Sequence, residues 1–177
     1  MAPKRPRAIV VRRAPGHGSQ ARIALAHGVR PAAIGRSAVR ACKREGDGAT
    51  PAGRFPLRQL LYRGDRMHRP RTVLPLRAIR SGDGWCEDPV DPSYNRLVKL
   101  SPGNTADRLK RDDHLYDLVL TLGYNDRPRV RGRGSAIFVH LARPGYAPTA
   151  GCIALSRHDL LMLLRQLRRD SKIVVIP

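Results

Sequence analysis

Apolar residues in this chain come in short runs, separated by clusters of turn-forming residues such as Ser81-Gly82-Asp83-Gly84. The runs are rich in Val, Ile and Leu and are shorter than most helices, which is typical of β-strands. Many short strands at such spacing predict a mainly β fold of the sandwich or barrel type. The predicted strands cover residues 7–13, 20–27, 55–62, 72–79, 96–100, 115–122, 136–141, 152–155 and 172–176.

A helical pattern stands out near the C-terminus. Ser156 and Asp159 have the spacing of an N-terminal capping box, with Asp in place of the usual Glu. Four leucines then fall on one face of a helix, at positions 160, 163, 164 and 167. A second, short helix is predicted at residues 104–111, with Asn104 as its N-cap. We therefore expect one or two short helices, one of them directly after the strand that contains Cys152.

The charge of the chain is strongly positive. Its 177 residues carry a formal net charge of +20, and residues 1–44 contain 11 lysines and arginines but no acid. Such a surface attracts polyanions, so nucleic acid, anionic membranes and acidic cell-envelope polymers are candidate partners. Residues 1–44 also have features of a nucleic-acid-binding arm or a transit peptide, but their apolar runs favour strands. We predict a single domain over residues 1–177 that includes this basic segment.

The three cysteines, Cys42, Cys86 and Cys152, do not have the spacing of a metal site. They form no Cys-x-x-Cys pair, and the histidines do not fall at zinc-finger spacing, so we predict no metal. A disulfide between Cys42 and Cys86 is one possibility in an oxidising compartment, and two buried thiols are the other.

Two residues of catalytic type lie at the ends of successive apolar segments. His140 closes one run, and Cys152 opens the next after a short loop rich in Pro and Gly. A thiol nucleophile needs a positioned base, because free cysteine is only a few per cent thiolate at neutral pH. Amides beside Gly151 can stabilise an oxyanion, and Thr149 can hydrogen-bond the loop or a substrate. Together, His140 and Cys152 predict cysteine-based acyl transfer. The alternative is that His140 is a structural residue and Cys152 a buried, unreactive thiol.

Two motifs in this order resemble the L,D-transpeptidase catalytic domain of the YkuD type (ErfK/YbiS/YcfS/YnhG). The family pattern of a His, a loop and [S/T]-x-G-C-[I/V] is matched by His140 and Thr149-Ala150-Gly151-Cys152-Ile153. The family segment T-P-x-G-x-F is matched by Thr50-Pro51-Ala52-Gly53-Arg54-Phe55. The segment Gly84-Trp85-Cys86-Glu87-Asp88-Pro89, followed by Tyr94-Asn95-Arg96, is similar to one branch of the family. The resemblance spans about residues 40–177 and implies the L,D-transpeptidase catalytic fold.

The resemblance implies a role for each residue of the motif. Cys152 is expected to be the nucleophile and His140 the proton acceptor and donor. The backbone carbonyl of Leu141 or its neighbour is expected to orient the imidazole, and the amides of Gly151 and Cys152 to form the oxyanion hole. We expect substrate contacts from Thr149 and from a polar-aromatic cluster of Trp85, Asp88, Tyr94 and Asn95. The alternative for this cluster is a turn with local hydrogen bonds.

The implied reaction joins or remodels peptidoglycan stem peptides through a thioester on Cys152, without a metal or an organic cofactor. Ala150 and Ala154 depart from the commoner family motif. The alternative function is therefore that of a thiol hydrolase, which cuts stem peptides as an L,D-carboxypeptidase does. A third reading is a non-enzymatic protein that binds polyanions. Nucleic acid is not favoured as the partner, because aromatic residues are few and no nucleic-acid-binding motif is present.

The family implies a location in the periplasm or cell envelope. The sequence itself shows no secretory signal peptide, and no apolar run approaches the roughly 18 residues of a membrane span. Action in the cytoplasm on recycled fragments is therefore the alternative.

Overall fold

The computed structural model describes residues 6–16, 18–101 and 106–177. Within these residues the chain forms short strands, one α-helix, α1 (Arg157–Gln166), and one turn of 3-10 helix (Pro144–Tyr146). The strands are β1 (Ala8–Arg13), β2 (Gln20–Leu25), β3 (Gly28–Ala33), β4 (Val39–Arg40), β5 (Thr50–Pro51), β6 (Gly53–Tyr62), β7 (Leu76–Ala78), β8 (Asp83–Cys86), β9 (Leu97–Lys99), β10 (Ala106–Arg108), β11 (Leu118–Leu122), β12 (Phe138–Leu141), β13 (Ile153–Leu155) and β14 (Lys172–Ile176).

Eight of these strands close into a barrel. Their order is β11-β12-β13-β3-β2-β1-β14-β6, and β6 pairs again with β11 to complete the ring. Strand β7 extends the sheet from β6, while β10-β8-β9 and β4-β5 form two small separate sheets. The predicted mainly β, barrel-like fold with a short helix is confirmed.

The basic N-terminal segment contributes three strands to the barrel. β1 pairs in parallel with β14, so that Ala8 lies opposite Lys172, and it pairs antiparallel with β2 on its other side. β2 and β3 then form a hairpin, and β3 reaches β13 through the pair Ala33 and Ala154. This hairpin therefore connects the start of the chain to the strand that follows Cys152.

Strand β11 is buried along its whole length because both of its faces are covered. Leu118, Leu120 and Leu122 face the main core, which also contains the inward side of α1. Val119 faces a second, smaller cluster that includes Phe138. Each fully buried leucine or valine contributes about 2 kcal/mol relative to exposure, so the two clusters fix the sheet from both sides.

The predicted helix and its cap are confirmed. The Asp159 amide donates to the Ser156 hydroxyl at 3.0 Å, and that hydroxyl donates to the Asp159 carboxylate at 2.7 Å. The four leucines of the predicted stripe are all buried in the main core. Helix α1 covers one end of the core immediately after β13, so it helps to fix the segment that carries the thiol.

The prediction of a second helix at residues 104–111 is wrong where the structure describes that segment. Residues 106–108 form β10, which pairs antiparallel with Gly84–Cys86, and Asn104 lies outside the described residues. A short polar segment has weak helical preference, and the ladder with β8 satisfies its backbone groups instead.

Strand β3 is an element that the apolar pattern did not predict. The expected strand 20–27 ends at Leu25, and the chain turns back to run antiparallel over residues 28–33. Gly28 and Pro31 interrupt the strand-like composition of this stretch. Pairing with β2 nevertheless holds it in the barrel.

Candidate active site

His140 and Cys152 are brought together by two neighbouring parallel strands. In the register of β12 and β13, His140 lies opposite Ala154, and Cys152 immediately precedes β13. Side chains alternate along a strand, so Phe138 and His140 point to the same face of β12, away from the main core. Both the thiol and the imidazole line one cleft with a volume of about 380 Å³. Both residues are nearly buried, with 8% of Cys152 and 7% of His140 exposed.

The thiol of Cys152 is held by backbone groups of the segment before β12. Its Sγ–H donates to the carbonyl of Ala136 at 3.1 Å, and Sγ accepts from the amide of Phe138 at 3.4 Å. Burial raises the pKa of the Cys152 thiol to about 12, so the resting group is protonated at neutral pH.

The imidazole of His140 is oriented by the carbonyl of Leu141. Nδ1 lies 2.8 Å from that oxygen. A carbonyl can only accept, so Nδ1 carries the proton and Nε2 is the free base. Burial lowers the pKa of His140 to about 4, which keeps the ring neutral at neutral pH. The ring of Tyr116 packs edge-on against it with centroids 5.4 Å apart.

On one side of Cys152, a single hydroxyl fixes the loop before the thiol. Thr50 donates through Oγ1 to the carbonyl of Gly151 at 2.9 Å and accepts from the amide of Gly35 at 2.8 Å. All three residues are buried, and we call this contact the Thr50 clamp. Gly151 has φ of 142°, and a Cβ there would lie 2.8 Å from the carbonyl oxygen of Ala49. The segment of the T-P-x-G motif therefore packs directly on the Cys152 loop.

Thr149 stabilises the same loop from within. Its hydroxyl donates to the carbonyl of Cys152 at 2.6 Å and accepts from the amide of Gly151 at 3.1 Å. Its backbone pairs with the segment just after β3, since the amide of Thr149 donates to Ile34 and its carbonyl accepts from Arg36. The Gly151 amide is thus bonded within the loop in this structure.

On the other side of Cys152, one amide side chain fixes the segment that holds the thiol. Asn95 accepts through Oδ1 from Trp85 Nε1 at 2.9 Å and from the amide of Ala136 at 3.1 Å. Its Nδ2 donates to the carbonyls of Tyr124 and Asn125 at 3.0 and 2.8 Å. We call this buried network the Asn95 clamp, and through Ala136 it controls the acceptor of the thiol proton.

The Asn95 clamp holds strained backbone. Asn95 has φ of 55° and Ala136 has φ of 53°, and alanine rarely adopts this left-handed conformation. Tyr94 supports the same segment, because its hydroxyl accepts from the amide of Gly134 at 3.1 Å and donates to the carboxylate of Glu45. Ser135 donates to that carboxylate at 2.8 Å. These contacts keep residues 134–136 in place against the thiol.

Charged side chains of both signs line the cleft. They are Arg36, Lys43, Glu45, Glu87, Asp107, Arg111 and Arg143. Burial, followed by the nearby carboxylates of Asp107 and Glu45, raises the pKa of Glu87 to about 7. Burial also raises the pKa of Asp107, whose carboxylate accepts from the Tyr116 hydroxyl at 2.7 Å. The cleft therefore offers carboxyl groups that titrate closer to neutral pH than usual.

Of the expected substrate-contact residues, the structure brings Thr149 to the cleft beside Cys152 and His140. Trp85, Asp88, Tyr94 and Asn95 are not among the described residues that line it. Trp85 packs edge-on against Phe138 with centroids 4.9 Å apart, and Asp88 accepts from the amide of Val90 at 3.0 Å in a turn. These four residues lie behind the thiol or in a turn, and their contact with substrate stays a prediction.

Three residues of this site were not singled out from the sequence. Thr50 lies in the T-P-x-G-x-F segment, but its bond to Gly151 joins positions 101 residues apart. Ala136 and Tyr116 carry no local signal, because their roles come from a backbone carbonyl and from packing against His140.

The fold and the site define a β-barrel protein whose cleft contains a thiol and an oriented imidazole, a pairing used for acyl transfer. A family model of the YkuD L,D-transpeptidase catalytic domain matches residues 17–176, which is nearly the whole chain. The chain therefore belongs to this enzyme family, which acts on peptidoglycan stem peptides and is typically found in the cell envelope. Neither the curated proteins nor the solved structures gave a significant match.

The described residues contain no helix that is long and apolar enough to cross a membrane. Cys42 and Cys86 are both free thiols in the structure, Cys42 exposed and Cys86 buried.

Proposed function

We propose that this protein is an L,D-transpeptidase that transfers an acyl group from one peptidoglycan stem peptide to an amine through a thioester on Cys152. The observation that carries the proposal is the cleft that contains both the Cys152 thiol and an imidazole oriented by the Leu141 carbonyl. Membership of the YkuD family supports the same reaction class.

The acylation step begins from a neutral pair. Because burial raises the pKa of Cys152 and lowers that of His140, a standing thiolate–imidazolium pair is disfavoured. The thiol proton leaves the carbonyl of Ala136 and passes to Nε2 of His140 as Sγ attacks the scissile carbonyl carbon. The carbon–nitrogen bond then breaks, and the imidazolium protonates the departing amine of the terminal D-amino acid.

The second step regenerates the thiol. An acceptor amine attacks the thioester, gives its proton to His140, and the carbon–sulfur bond breaks with return of a proton to Sγ. Glu87 and Asp107 in the cleft favour entry of a cationic ammonium group. The pKa of Glu87, about 7, suits it to take up the proton that the ammonium must lose.

The oxyanion is assigned to the amides of Cys152 and Gly151. In the resting structure the Gly151 amide donates to the Thr149 hydroxyl at 3.1 Å. For the Gly151 amide to bind the oxyanion, it must first give up its hydrogen bond to the Thr149 hydroxyl. This exchange needs only a rearrangement within the loop before Cys152. Removal of one oxyanion donor costs on the order of 3 kcal/mol in other acyl-transfer enzymes.

The nucleophile is tested by incubation with a carbapenem and measurement of the intact mass. We expect one covalent adduct on the wild type and on Cys42→Ala, and none on Cys152→Ala. The exposed thiol of Cys42 makes the first variant a matched control for non-specific labelling. An adduct that persists on Cys152→Ala, or its absence from the wild type, contradicts the assignment.

Transfer and hydrolysis differ only in their products. Incubation with purified tetrapeptide muropeptides should give cross-linked dimers and free D-alanine, whereas a hydrolase gives tripeptides alone. Glu87→Gln is expected to raise the KM for the amine acceptor more than that for the donor, because it removes one of the two carboxyl groups proposed to attract the acceptor ammonium. Tripeptides as the sole product of the wild type would show that the hydrolase alternative is correct.

The pH dependence follows from His140. A base with a pKa lowered to about 4 is deprotonated above that value, so the acylation rate should stay level from neutral pH down to about pH 5. The rate should fall only as the pH drops through about 4, as imidazole becomes imidazolium. A midpoint near 6.5, the value of an unperturbed histidine, contradicts this assignment if it persists in Glu87→Gln, which removes the carboxyl group with a pKa of about 7 from the same cleft.

The substrate polymer belongs to the cell envelope, and we propose that the protein acts there. Fractionation of cells with an antibody against this chain tests the location. Recovery in the cytoplasmic fraction alone would favour action on recycled fragments.

A further inference from the structure

A second and larger groove adjoins the candidate active cleft. Its volume is about 910 Å³, and Lys43 lines both the groove and the cleft. Two chain segments form the boundary between them, joined by a hydrogen bond of 2.8 Å from the amide of Glu45 to the carbonyl of Gly132. A ligand seated in the groove is therefore next to the cleft that contains Cys152.

The groove is lined by positive charge. Arg44, Arg54, Arg131 and Arg133 are exposed, and none of them makes an ion pair within the described part of the chain. None of the described residues that line it is acidic. Lys43 is already paired with Asp47 at 2.8 Å, so the four arginines supply the available charge. Guanidinium groups bind carboxylates in a bidentate manner, which suits them to a ligand with several carboxylates.

The groove has a fixed shape. Phe55 and Tyr124 pack edge-on at its floor with centroids 5.5 Å apart, and Tyr124 donates to the carbonyl of Arg133. Asn125 fixes the same loop, because it accepts from the amide of Val130 at 2.8 Å and donates to the carbonyl of Gly134 at 2.8 Å. A site that is already ordered loses less entropy when it binds.

We propose that this groove binds the carboxylates of a peptidoglycan strand and holds it next to the active cleft. The inference rests on the proposed function, which supplies the polymer, and it adds a binding site outside the cleft. Stem peptides carry several free carboxylates, and the groove offers four arginines that make no ion pair among the described residues. Single-stranded nucleic acid fits less well, because its sequence-independent binding adds base stacking on exposed aromatic faces to the phosphate contacts, while Phe55 is buried and Tyr124 packs against it.

Two quadruple variants in a Cys152→Ala background test the proposal, with turnover prevented in both. The groove variant combines R44Q, R54Q, R131Q and R133Q. The matched variant removes the same charge elsewhere, at exposed arginines that line neither the groove nor the cleft, and combines R12Q, R22Q, R69Q and R169Q. The probes are soluble glycan strands with tetrapeptide stems and a single-stranded DNA oligonucleotide of equal charge, each followed by fluorescence anisotropy at low and moderate salt.

We expect the groove variant to bind the glycan strands about tenfold more weakly, and the matched variant to lose at most about twofold. The salt dependence of strand binding should also fall in the groove variant alone. Equal losses in the two variants would mean that the net charge of the protein causes the binding, and the proposal would be overturned. The proposal would also be overturned if the protein bound the DNA more tightly than the glycan strands and only the groove variant lost that binding.

The proposed function can fail separately. With Cys152 intact, the groove variant should still form the carbapenem adduct, because a small ligand needs only the cleft. Thermal melting of both quadruple variants checks the fold, since exposed substitutions usually change stability by only a few tenths of a kcal/mol. If the wild type binds the glycan strands but forms no carbapenem adduct, the proposed reaction at Cys152 is contradicted and the proposed binding site in the groove is supported.

Discussion

The two sides of Cys152 are held by different means. On one side, the Thr50 clamp uses one hydroxyl to tie the Gly151 carbonyl to the N-terminal half of the chain. On the other, the Asn95 clamp makes four hydrogen bonds, one of them from the amide of Ala136, whose carbonyl accepts the hydrogen bond of the thiol. The Thr50 clamp fixes the backbone that carries Cys152, and the Asn95 clamp fixes the carbonyl to which the thiol donates its hydrogen bond.

The two clamps also differ in how they tolerate change. The Thr50 clamp depends on close packing, because there is no room for a side chain at Gly151. The Asn95 clamp depends on hydrogen bonds that hold unfavourable backbone at Ala136. A substitution at Gly151 should therefore act through steric clash, whereas substitutions at Thr50 and Asn95 should act through lost hydrogen bonds.

The largest effect is expected from Gly151→Ala. The added Cβ would lie 2.8 Å from the Ala49 carbonyl oxygen and 3.2 Å from Ile137, at φ of 142°, a conformation almost restricted to glycine. We expect a loss of about 3 kcal/mol or more in the free energy of unfolding, measured by urea denaturation, together with loss of the carbapenem adduct.

Gly145→Ala is the matched control. Gly145 also has positive φ, 67°, but a Cβ there meets no atom within 4 Å. This variant should lose only about 1 kcal/mol and keep the adduct. Equal losses for the two glycines would show that backbone conformation, and not the contact with Ala49, sets the cost.

Asn95→Ala is expected to rank next. It leaves the Trp85 indole and the Ala136 amide without their buried acceptor, at a cost of about 2–4 kcal/mol. The acylation rate at Cys152 should fall as well, because the carbonyl that positions the thiol is released. Asn125→Ala is the control, since Asn125 has a similar φ of 47° but its side chain bonds Val130 and Gly134, and neither Trp85 nor Ala136. A rate that falls equally in both variants would contradict the special role of Asn95.

Thr50→Val keeps the shape of the side chain and removes the hydroxyl. The Gly35 amide and the Gly151 carbonyl both lose a buried partner, so we expect a cost of about 1–3 kcal/mol. The carbapenem acylation rate should fall about tenfold, since small displacements of a nucleophile have large effects. In the control Thr121→Val, the lost bonds are to Gln59 within the sheet, and stability should fall without a change in rate.

The sequence predicted most of the barrel because its strands have a consistent apolar pattern. Strands β1, β6, β11 and β14 are bounded by turns or charged residues and could be placed to within a few residues. Strand β3 could not, since Pro31 and Gly28 conceal its pattern and its pairing with β2 is tertiary. Residues 106–108 were misassigned for the same reason, because a short polar segment takes its conformation from its partner β8.

The site was partly predictable as well. Spacing placed His140 and Cys152 on successive segments, and the structure brings them to one cleft. The partners of the thiol could not be predicted, because Ala136 acts through its carbonyl and has a conformation that no local feature of alanine indicates. Asn95 was expected near substrate as part of a polar cluster, but its hydrogen bonds connect four separate positions behind the thiol.

The smallest effect on stability is expected from Ala136→Gly. Relief of φ at 53° favours glycine by about 1–2 kcal/mol, while the lost methyl burial and the freer unfolded chain together favour alanine by a similar amount. The net change should lie within about 1 kcal/mol of zero, whereas Ala33→Gly, at a buried alanine in β3 with ordinary φ, should cost about 1–2 kcal/mol. Urea denaturation of the pair measures this difference, and equal costs would mean that Ala136 is not strained. The Ala136→Gly variant should keep its stability. Its carbapenem acylation rate should nevertheless fall, because a more flexible backbone at residue 136 positions the carbonyl that accepts from the Cys152 thiol less well.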